Sequence, residues 1–313
     1  MKLVFMGTPE FAVPSLELLA KHHEVVAVIT APDKPAGRGK KIQQSAVKQK
    51  AIRLGITVLQ PTNLKDPDFH AQLTALNADL YVVLAFRMLP ETVWSIPKKG
   101  TINLHASLLP DYRGAAPINR AIMAGEKKTG LTTFYIEKDI DTGMILEQME
   151  MKIHPDEDAG SLHDRMMENG AKLLLSTVNK IENGELIAKK QIESSDLKTA
   201  PKIFREDCEI DWTKPEVEIY NHIRGLSPYP GAWTTATGDN YPAQPYKILK
   251  TRRAEFQIAG SPGSILFTDE LRLFVKSGKG NLEVLELQAP GKKKMTTADF
   301  LRGFKPPIDF RFH

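Results

Sequence analysis

The sequence predicts an α/β protein in which a doubly wound, Rossmann-like domain is followed by a smaller, OB-like β-barrel domain. A length of 313 residues suits two domains. The first 150 residues alternate continuous apolar runs with helical patterns, as in a parallel sheet that is buried on both faces. From Pro228 onward, short strand-like runs are separated by Gly, Pro, Asn and Asp, which is typical of a small barrel.

The strands of the first domain follow from its apolar runs, and its helices follow from the spacing between them. The expected strands are Leu3–Met6, Val25–Thr30, Ile56–Leu59, Leu80–Ala85 and Thr101–Leu104. The expected helices are Phe11–Ala20, Ala46–Leu54 and Phe69–Leu76. Two further strands and a long helix are expected at Leu131–Glu137, Met144–Lys152 and Ser161–Glu182. This βαβ order predicts the doubly wound sheet.

The domain boundaries follow from a loss of periodicity. Residues 187–205 are polar and lack a hydrophobic repeat, so we expect a linker there. It would join a first domain at residues 1–186 to a barrel domain at residues 206–313. The barrel strands are expected at Ala232–Thr235, Tyr246–Lys250, Gly263–Phe267, Leu271–Val275 and Leu282–Leu287.

Composition excludes several classes of protein. Hydrophobic residues make up 42% of the chain and charged residues 26%, as in a globular rather than a disordered protein. The single cysteine, Cys208, excludes an internal disulfide framework and a cysteine-cluster metal site. The apolar runs are too short to span a bilayer, and no export signal pattern is present. The expectation is a cytoplasmic monomer that holds no metal and does not contact a membrane.

The charge of the chain is unevenly distributed. The net charge is only +4. Residues 219–313 nevertheless contain 14 Lys or Arg against 8 Asp or Glu, which leaves residues 1–218 slightly acidic. A basic region of this kind suggests a polyanionic partner, although a solvated basic surface is an open alternative on charge alone.

The first strand ends in Gly7-Thr8-Pro9, where a dinucleotide-binding fold carries its glycine fingerprint. The spacing G-x-G-x-x-G is absent, and Pro9 has no N–H to give to a phosphate. A nucleotide-dependent oxidoreductase is therefore disfavoured. The segment is interpreted as a structural turn from strand to helix.

The segment INLHASLLPDYRGAAPI, residues 102–118, is the richest in chemistry. Asn103 and His105 are two residues apart at the end of a strand, so their side chains share one face. An amide and an imidazole there can bind a developing oxyanion and move a proton. A separate turn offers Asp141, whose carboxylate can orient a histidine. Spacing alone leaves open that these are ordinary turn and loop residues.

The same residues carry a family resemblance. The block SLLPDYRGAAPI, with Asn103-x-His105 before it and Asp141-Thr142-Gly143 after it, resembles the signature of the folate-dependent formyltransferases. Three further segments resemble the methionyl-tRNA formyltransferase branch of that family: Gly7–Phe11, Pro32–Lys41 and Gln288–Met295. The match covers essentially the whole chain.

The resemblance implies transfer of the formyl group of 10-formyltetrahydrofolate to the amine of methionyl-initiator tRNA, which gives N-formylmethionyl-tRNA for translation initiation. Asn103 and His105 would hydrogen-bond the formyl oxygen. Asp141 would orient His105 and help the amine to lose its proton. The folate-binding residues implied by the resemblance are Ser107, Leu108, Leu109 and Pro110, with Ala85, Phe86 and Leu89 in the pterin pocket. Arg87 departs from the family pattern, which has little bulk in that pocket.

The loop Pro32–Lys41 combines two prolines and two glycines with four basic residues. The resemblance implies that the basic residues bind tRNA, with Arg38 at the acceptor end; they are Lys34, Arg38, Lys40 and Lys41. Aromatic and basic residues of the barrel suggest a second RNA surface. They are Tyr246, Lys247, Lys250, Arg252, Arg253 and Lys292–Lys294.

Two alternatives remain open at this point. Another folate formyltransferase, acting on a sugar-nucleotide amine or a glycinamide ribonucleotide, would share Asn103, His105 and Asp141. It would need neither the basic loop nor a basic barrel. A non-catalytic RNA-binding protein on a degenerate enzyme fold is the other, and the intact trio of side chains argues against it.

Overall fold

The computed structural model describes residues 1–36, 41–256 and 258–313. The chain forms two units. The sheet unit consists of Met1–Gly114, Lys128–Lys152 and His163–Thr199. The barrel unit consists of Ala115–Lys127, Ile153–Leu162 and Ala200–His313. No helix in these described ranges is both long and apolar enough to cross a membrane.

The first nine strands run from residue 2 to residue 152. They are β1 (Lys2–Gly7), β2 (Glu24–Ile29), β3 (Lys34–Ala36), β4 (Lys41–Gln43), β5 (Val58–Leu59), β6 (Leu80–Leu84), β7 (Thr101–His105), β8 (Lys128–Tyr135) and β9 (Ile145–Lys152). The first six helices are α1 (Val13–His22), α2 (Ala46–Arg53), α3 (Pro67–Ala75), α4 (Glu91–Trp94), α5 (Pro117–Met123) and α6 (Ala159–Asn183). A 3₁₀ turn, Glu10–Ala12, precedes α1.

The main sheet of the sheet unit has the strand order β5-β2-β1-β6-β7-β8-β9. Strands β5, β2, β1, β6 and β7 are parallel, whereas β8 and β9 add two antiparallel strands at one edge. The predicted doubly wound parallel sheet is therefore confirmed. The apolar pattern alone did not show that β8 and β9 pair in antiparallel fashion. The pair β3 and β4 forms a separate hairpin.

Gly7 lies at a close approach between the sheet and the 3₁₀ turn that precedes α1. A Cβ added there would lie 2.9 Å from the Cβ of Ala12 and 3.0 Å from the carbonyl oxygen of Leu84. Only a glycine leaves room for this approach, so the segment is the structural turn that the sequence predicted. One hydrophobic cluster of this unit packs around Val4, Met6, Ile29, Phe69, Leu73, Tyr81 and Val83.

The barrel unit contains the remaining strands and two more helices. They are α7 (Glu216–Leu226), β10 (Ala232–Gly238), β11 (Tyr241–Ala254), β12 (Ile265–Phe267), β13 (Leu273–Lys276), β14 (Asn281–Gln288), β15 (Met295–Thr296), α8 (Thr297–Gly303) and β16 (Arg311–Phe312). The order is β12-β13-β14-β11-β10-β16. A bridge between Ser264 and Arg311 joins the two ends, so the barrel is nearly closed. The five expected barrel strands are present as β10 to β14.

Candidate active site

Asn103 and His105 lie on one face of β7, at the edge of the sheet where the parallel strands end. The intervening Leu104 points to the opposite face, because a Cβ added to Gly170 of α6 would lie 2.7 Å from its Cδ2. On the shared face, Asn103 pairs across the strands with Phe134. The ring of Phe134 lies edge-on to the imidazole of His105, with 6.5 Å between ring centroids. The predicted common face of the two polar side chains is thus present.

The imidazole of His105 is buried and oriented by a backbone carbonyl. Its side chain is 7% exposed, and Nε2 lies 2.8 Å from the carbonyl oxygen of Tyr112. A carbonyl oxygen only accepts, so Nε2 carries the hydrogen and donates it. In the neutral ring Nδ1 is then unprotonated. This nitrogen faces Oδ2 of Asp141 at 3.7 Å, where a proton gained by the ring would meet a carboxylate.

Asp141 reaches His105 from a turn with unusual backbone geometry. Its φ angle is +57°, in the left-handed region that Asp adopts more readily than most residues. The side chain is 13% exposed, and Oδ2 accepts a hydrogen bond of 2.9 Å from the backbone N–H of Gly114. One carboxylate oxygen therefore faces both the imidazole and the loop that follows β7.

Gly143 explains why this turn ends in glycine. A Cβ added there would lie 1.7 Å from the carbonyl oxygen of Tyr135, a distance that no side chain tolerates. The turn that presents Asp141 is thereby held directly against the end of β8.

Gln191 fixes the same turn from the far side and was missed by sequence reasoning, which placed it in the polar linker. It is 5% exposed, and its Nε2 donates to the carbonyl oxygens of Asp141 and Gly143 at 2.9 and 2.8 Å. Its Oε1 accepts from Nε and Nη2 of Arg113 at 3.1 and 2.7 Å. Arg113 also pairs with Glu193, and those hydrogen bonds lower the pKa of the Glu193 carboxyl. No local pattern marks Gln191, because all of its partners are distant in sequence.

The loop Ser107–Pro110 is held by two side chains that the sequence did not single out. Oγ1 of Thr132 donates to the carbonyl oxygen of Ser107 at 2.7 Å and accepts from the N–H of Leu109 at 3.1 Å. Gln148, its partner on β9, donates to the carbonyl oxygen of Leu109 at 2.9 Å. Because its backbone is bonded at several points, this loop presents a preorganised surface beside His105.

Leu108 of the same loop packs over Gly130 of β8. A Cβ added to Gly130 would lie 2.4 Å from Cδ2 of Leu108. Ser107 and Leu109 are buried, whereas Leu108 and Pro110 keep part of their surface. These two half-exposed side chains are the ones that a ligand can reach.

The segment Ala85–Leu89 follows β6, the neighbour of β7. Ala85 has φ +49° and is exposed, Phe86 is half-buried, and Leu89 is buried. Arg87 does not simply extend into solvent. Its Nη1 donates to the carbonyl oxygen of Thr62 at 3.0 Å, and its Nη2 donates to that of Pro61.

Burial lowers the pKa of the Arg87 guanidinium, which nevertheless stays a cation at neutral pH. The guanidinium lies 5.6 Å from the ring centroid of Phe86. The large side chain of Arg87, which departs from the family pattern, therefore ties this loop to the segment after β5.

The predicted tRNA-binding residues lie only partly within the described chain. Lys34 is exposed on β3. Arg38 and Lys40 lie outside the described residues, and Lys41 is described through its backbone in β4 alone. Strand β2, which leads into this hairpin, is separated from β7 by β1 and β6. Lys34 is therefore not part of the His105 cluster.

The barrel unit carries a basic surface, but one expected member is not on it. Tyr246 is 2% exposed and packs in the barrel core, with its hydroxyl 2.7 Å from that of Tyr241. The expectation that its ring lies on the RNA surface is wrong, because inward and outward residues alternate along β11. Lys250, Arg252 and Arg253 are exposed.

Glu283 organises part of this surface. This carboxylate is 5% exposed and accepts hydrogen bonds from Arg252 at 2.6 Å and from Arg272 at 2.8 Å. Hydrogen bonding from Arg272, with a further contribution from Arg252, lowers the pKa of Glu283. The guanidinium of Arg272 lies 4.7 Å from the ring centroid of Phe274. Two cations are thus held at fixed positions on the barrel.

Within the described residues, no group of three or more His, Cys, Asp or Glu side chains could hold a metal ion. The catalytic candidates are instead an amide, an imidazole and a carboxylate. This set is suited to acid–base chemistry at a carbonyl group.

Comparison with known proteins places the chain in a family. A family model described as formyl transferase matches residues 1–178, and one described as formyl transferase, C-terminal domain, matches residues 202–305. The chain is 50% identical over 305 residues to the methionyl-tRNA formyltransferase of Flavobacterium johnsoniae, covering 97% of the chain and 96% of that protein. The chain belongs to the methionyl-tRNA formyltransferase family. It is a formyl-transferring enzyme, as the resemblance implied.

Other members of the methionyl-tRNA formyltransferase family are similar over the same extent. The protein of that name from Bacteroides fragilis is 46% identical over 308 residues, covering 97% of the chain and 95% of the relative. Solved structures share the fold at lower identity. An N-formyltransferase from Helicobacter canadensis, solved with folinic acid and dTDP-3-aminofucose, has a TM-score of 0.67 and 21% identity, with 94% of this chain and 100% of that one covered.

HypX from Aquifex aeolicus, solved with tetrahydrofolic acid, also shares the fold. Its TM-score is 0.64 at 18% identity, and the match covers all of this chain and 51% of that one.

Proposed function

We propose that this chain transfers the formyl group of 10-formyltetrahydrofolate to the α-amine of methionyl-initiator tRNA, giving N-formylmethionyl-tRNA for translation initiation. The observation that carries the proposal is the arrangement of His105, oriented through Nε2 by Tyr112 and facing Asp141 through Nδ1, beside Asn103. The family membership of the chain supports the choice of substrates. The enzyme acts as a cytoplasmic monomer, with a formyl-transfer domain at residues 1–186 and a tRNA-holding domain at residues 206–313 joined by a linker.

His105 moves the proton of the attacking amine rather than hydrogen-bonding the formyl oxygen as the resemblance implied, because its Nε2–H is already donated to the carbonyl oxygen of Tyr112. The amine nitrogen uses its lone pair to form a bond to the formyl carbon, and Nδ1 of His105 accepts the proton that this nitrogen gives up. Asp141, 3.7 Å from Nδ1, stabilises the imidazolium that results. The hydrogen bond to Tyr112 keeps the ring in the orientation that this transfer requires.

Asn103 stabilises the charge that forms on the formyl oxygen. As the carbon becomes tetrahedral, its C=O electron pair moves to the oxygen, and the side-chain amide of Asn103 donates a hydrogen bond to the oxyanion. This amide makes no hydrogen bond with any residue that the structure describes, and the side chain is half-buried. Its N–H groups are thus available to a ligand.

Collapse of the intermediate returns the proton. The C=O bond re-forms, the bond between the carbon and N10 of the folate breaks, and that nitrogen takes a proton from the imidazolium of His105. The products are the formylated amine and tetrahydrofolate, and His105 is neutral again. Atoms and charges balance without a metal.

The folate is held by two loops at the same sheet edge. Ser107, Leu108, Leu109 and Pro110 hold it after β7, Leu108 and Pro110 with their half-exposed side chains and the buried Ser107 and Leu109 through their backbone. Ala85, Phe86 and Leu89 form the pterin pocket after β6. The hydrogen bonds of Thr132 and Gln148 support the first loop, and those of Arg87 support the second.

Arg87→Met is expected to raise KM for 10-formyltetrahydrofolate about tenfold, because the pterin loop loses two charge-assisted hydrogen bonds. KM for methionyl-tRNA should stay near that of the unchanged enzyme. Initial rates with each substrate varied in turn measure both values. Arg53→Met, at an exposed arginine of α2, is the matched control. A folate KM that does not change would show that Arg87 has no part in shaping the pocket.

The tRNA is bound through Lys34, Arg38, Lys40 and Lys41 and through the basic surface of the barrel. The fixed positions of Arg252 and Arg272 on Glu283 suit phosphate oxygens, since preorganised guanidinium groups lose less entropy on binding. Binding should therefore weaken steeply as the salt concentration rises.

The test of the proposed function is a choice of acceptors. The purified chain receives 10-formyltetrahydrofolate together with methionyl-tRNA, a dTDP-amino sugar or glycinamide ribonucleotide, and formylated product is quantified. We expect formylated product with methionyl-tRNA and none with the amino sugar or the ribonucleotide. Product with the amino sugar or the ribonucleotide, and none with methionyl-tRNA, would overturn the proposed acceptor while leaving formyl transfer intact.

A further inference from the structure

The segment between β2 and α2 leaves the main sheet and returns to it at one point. Oγ1 of Thr30 lies 2.7 Å from Oγ of Ser45, so the two ends of the segment are bonded to each other. Thr30 is fully buried. Ser45 also caps α2, because its Oγ accepts the N–H of Lys48 at 3.0 Å. The hairpin β3–β4 projects from this closed base.

A second set of contacts fixes Asp33, the residue immediately before the hairpin. Nζ of Lys48 lies 2.6 Å from Oδ2 of Asp33 and 2.7 Å from Oε1 of Gln60. Nε2 of Gln60 donates to Oδ1 of Asp33 and to the carbonyl oxygen of Ala31, both at 2.8 Å. Both carboxylate oxygens of Asp33 are therefore bonded. We call Asp33, Lys48 and Gln60 the anchor.

The anchor is shielded and strongly bonded. The side chains of Lys48 and Asp33 are 15% and 23% exposed. Hydrogen bonds from Lys48 and then from Gln60 lower the pKa of the Asp33 carboxyl, so this carboxylate stays ionised at neutral pH. Asp33 immediately precedes Lys34, the first residue of β3. The anchor thus determines where the hairpin begins.

The ammonium group of Lys48 pairs with Asp33 at the hairpin base and not with a neighbouring helix. A neighbour on the same helix shows the contrast, because Lys50 pairs with Glu17 of α1. Holding a basic hairpin at its base reduces the conformational entropy that it loses when a ligand binds. Loss of the anchor should therefore weaken the binding of a ligand to the hairpin.

We propose that Lys48 is a positioning residue for methionyl-tRNA: through Asp33 and Gln60 it holds the hairpin base so that Lys34 on β3 meets the RNA. This inference rests on the proposed function. In this proposal Lys48 contacts no substrate and acts only through the anchor.

The experiment compares Lys48→Met with Lys50→Met in the full chain. Each change removes one ion-paired lysine from α2, and only the first breaks the anchor. Hydrogen exchange is measured at backbone amides of residues 34, 36, 42 and 43, and KM is measured for both substrates. For Lys48→Met we expect about tenfold faster exchange at these amides and about a tenfold higher KM for methionyl-tRNA. KM for 10-formyltetrahydrofolate should not change. Lys50→Met should match the original enzyme in all three measurements.

Asp33→Asn serves as the second variant if Lys48→Met does not fold, because it removes the charge and keeps the shape. Unchanged exchange in the folded variant would overturn the anchor. Faster exchange with an unchanged KM for methionyl-tRNA would overturn the positioning role. If the original enzyme formylated no tRNA, the proposed function would fail, yet exchange at the hairpin would still decide whether the anchor exists.

Discussion

Replacement of His105 by alanine is expected to lower kcat about 10²–10⁴-fold, the range that loss of a positioned proton acceptor typically costs. Without the imidazole, the amine must give its proton to water, and Asp141 faces no group whose charge it can stabilise. The measurement is the rate of formyl transfer at saturating 10-formyltetrahydrofolate and methionyl-tRNA. The melting temperature and the affinity for methionyl-tRNA should stay close to those of the original enzyme.

His70→Ala is the matched control for this change. His70 also places Nε2 against a backbone carbonyl oxygen, that of Leu64 at 2.7 Å, but it lies on α3 away from the catalytic trio. Its loss should leave kcat unchanged. Near-normal turnover in His105→Ala would remove the catalytic assignment.

Asn103→Ala is expected to lower kcat about 10²–10³-fold, as the removal of one oxyanion donor does in other enzymes. The substrate still binds, because a hydrogen bond to the oxyanion stabilises the transition state and contributes little to the ground state. KM for 10-formyltetrahydrofolate should therefore change much less than kcat. Initial-rate kinetics separate the two effects.

Asn103→Asp distinguishes donation from shape. The carboxylate has nearly the size of the amide but offers acceptors only, and its charge repels an oxyanion. This variant should be at least as slow as Asn103→Ala. Retained activity in Asn103→Asp would mean that the amide does not stabilise the oxyanion.

The sequence by itself determined the fold class and the shared face of Asn103 and His105. Both depend on patterns of side chains that extend over only a few neighbouring residues. Continuous apolar runs marked the strands buried on both faces, and a spacing of two on a strand places two side chains on one face whatever surrounds them. The turn at Gly7 was likewise readable, since a missing glycine fingerprint and a proline are local facts.

Only the tertiary structure decided how His105 is oriented and what supports it. The imidazole donates to the carbonyl oxygen of Tyr112 within the irregular loop after β7. The bonds from Gln191 to the turn of Asp141, and those of Thr132 and Gln148 to the folate loop, join residues that are far apart in sequence. No periodicity encodes such pairs. The polar stretch 187–205 illustrates the difference, because it contains a glutamine that is almost completely buried.

The surfaces show the same division. The basic residues of the barrel were countable from the sequence. Tyr246, the aromatic residue expected beside them, belongs to the core, because the face on which each residue of β11 lies depends on the register of the strand. The sequence marked Arg87 only as a departure from the family pattern and did not mark Lys48, and the structure gives each of them loop partners to hold. Local pattern therefore determined which elements form and which side chains share a face. Three-dimensional packing decided which of those side chains are oriented, buried or bonded, because these properties depend on atoms that the chain brings together only when it folds.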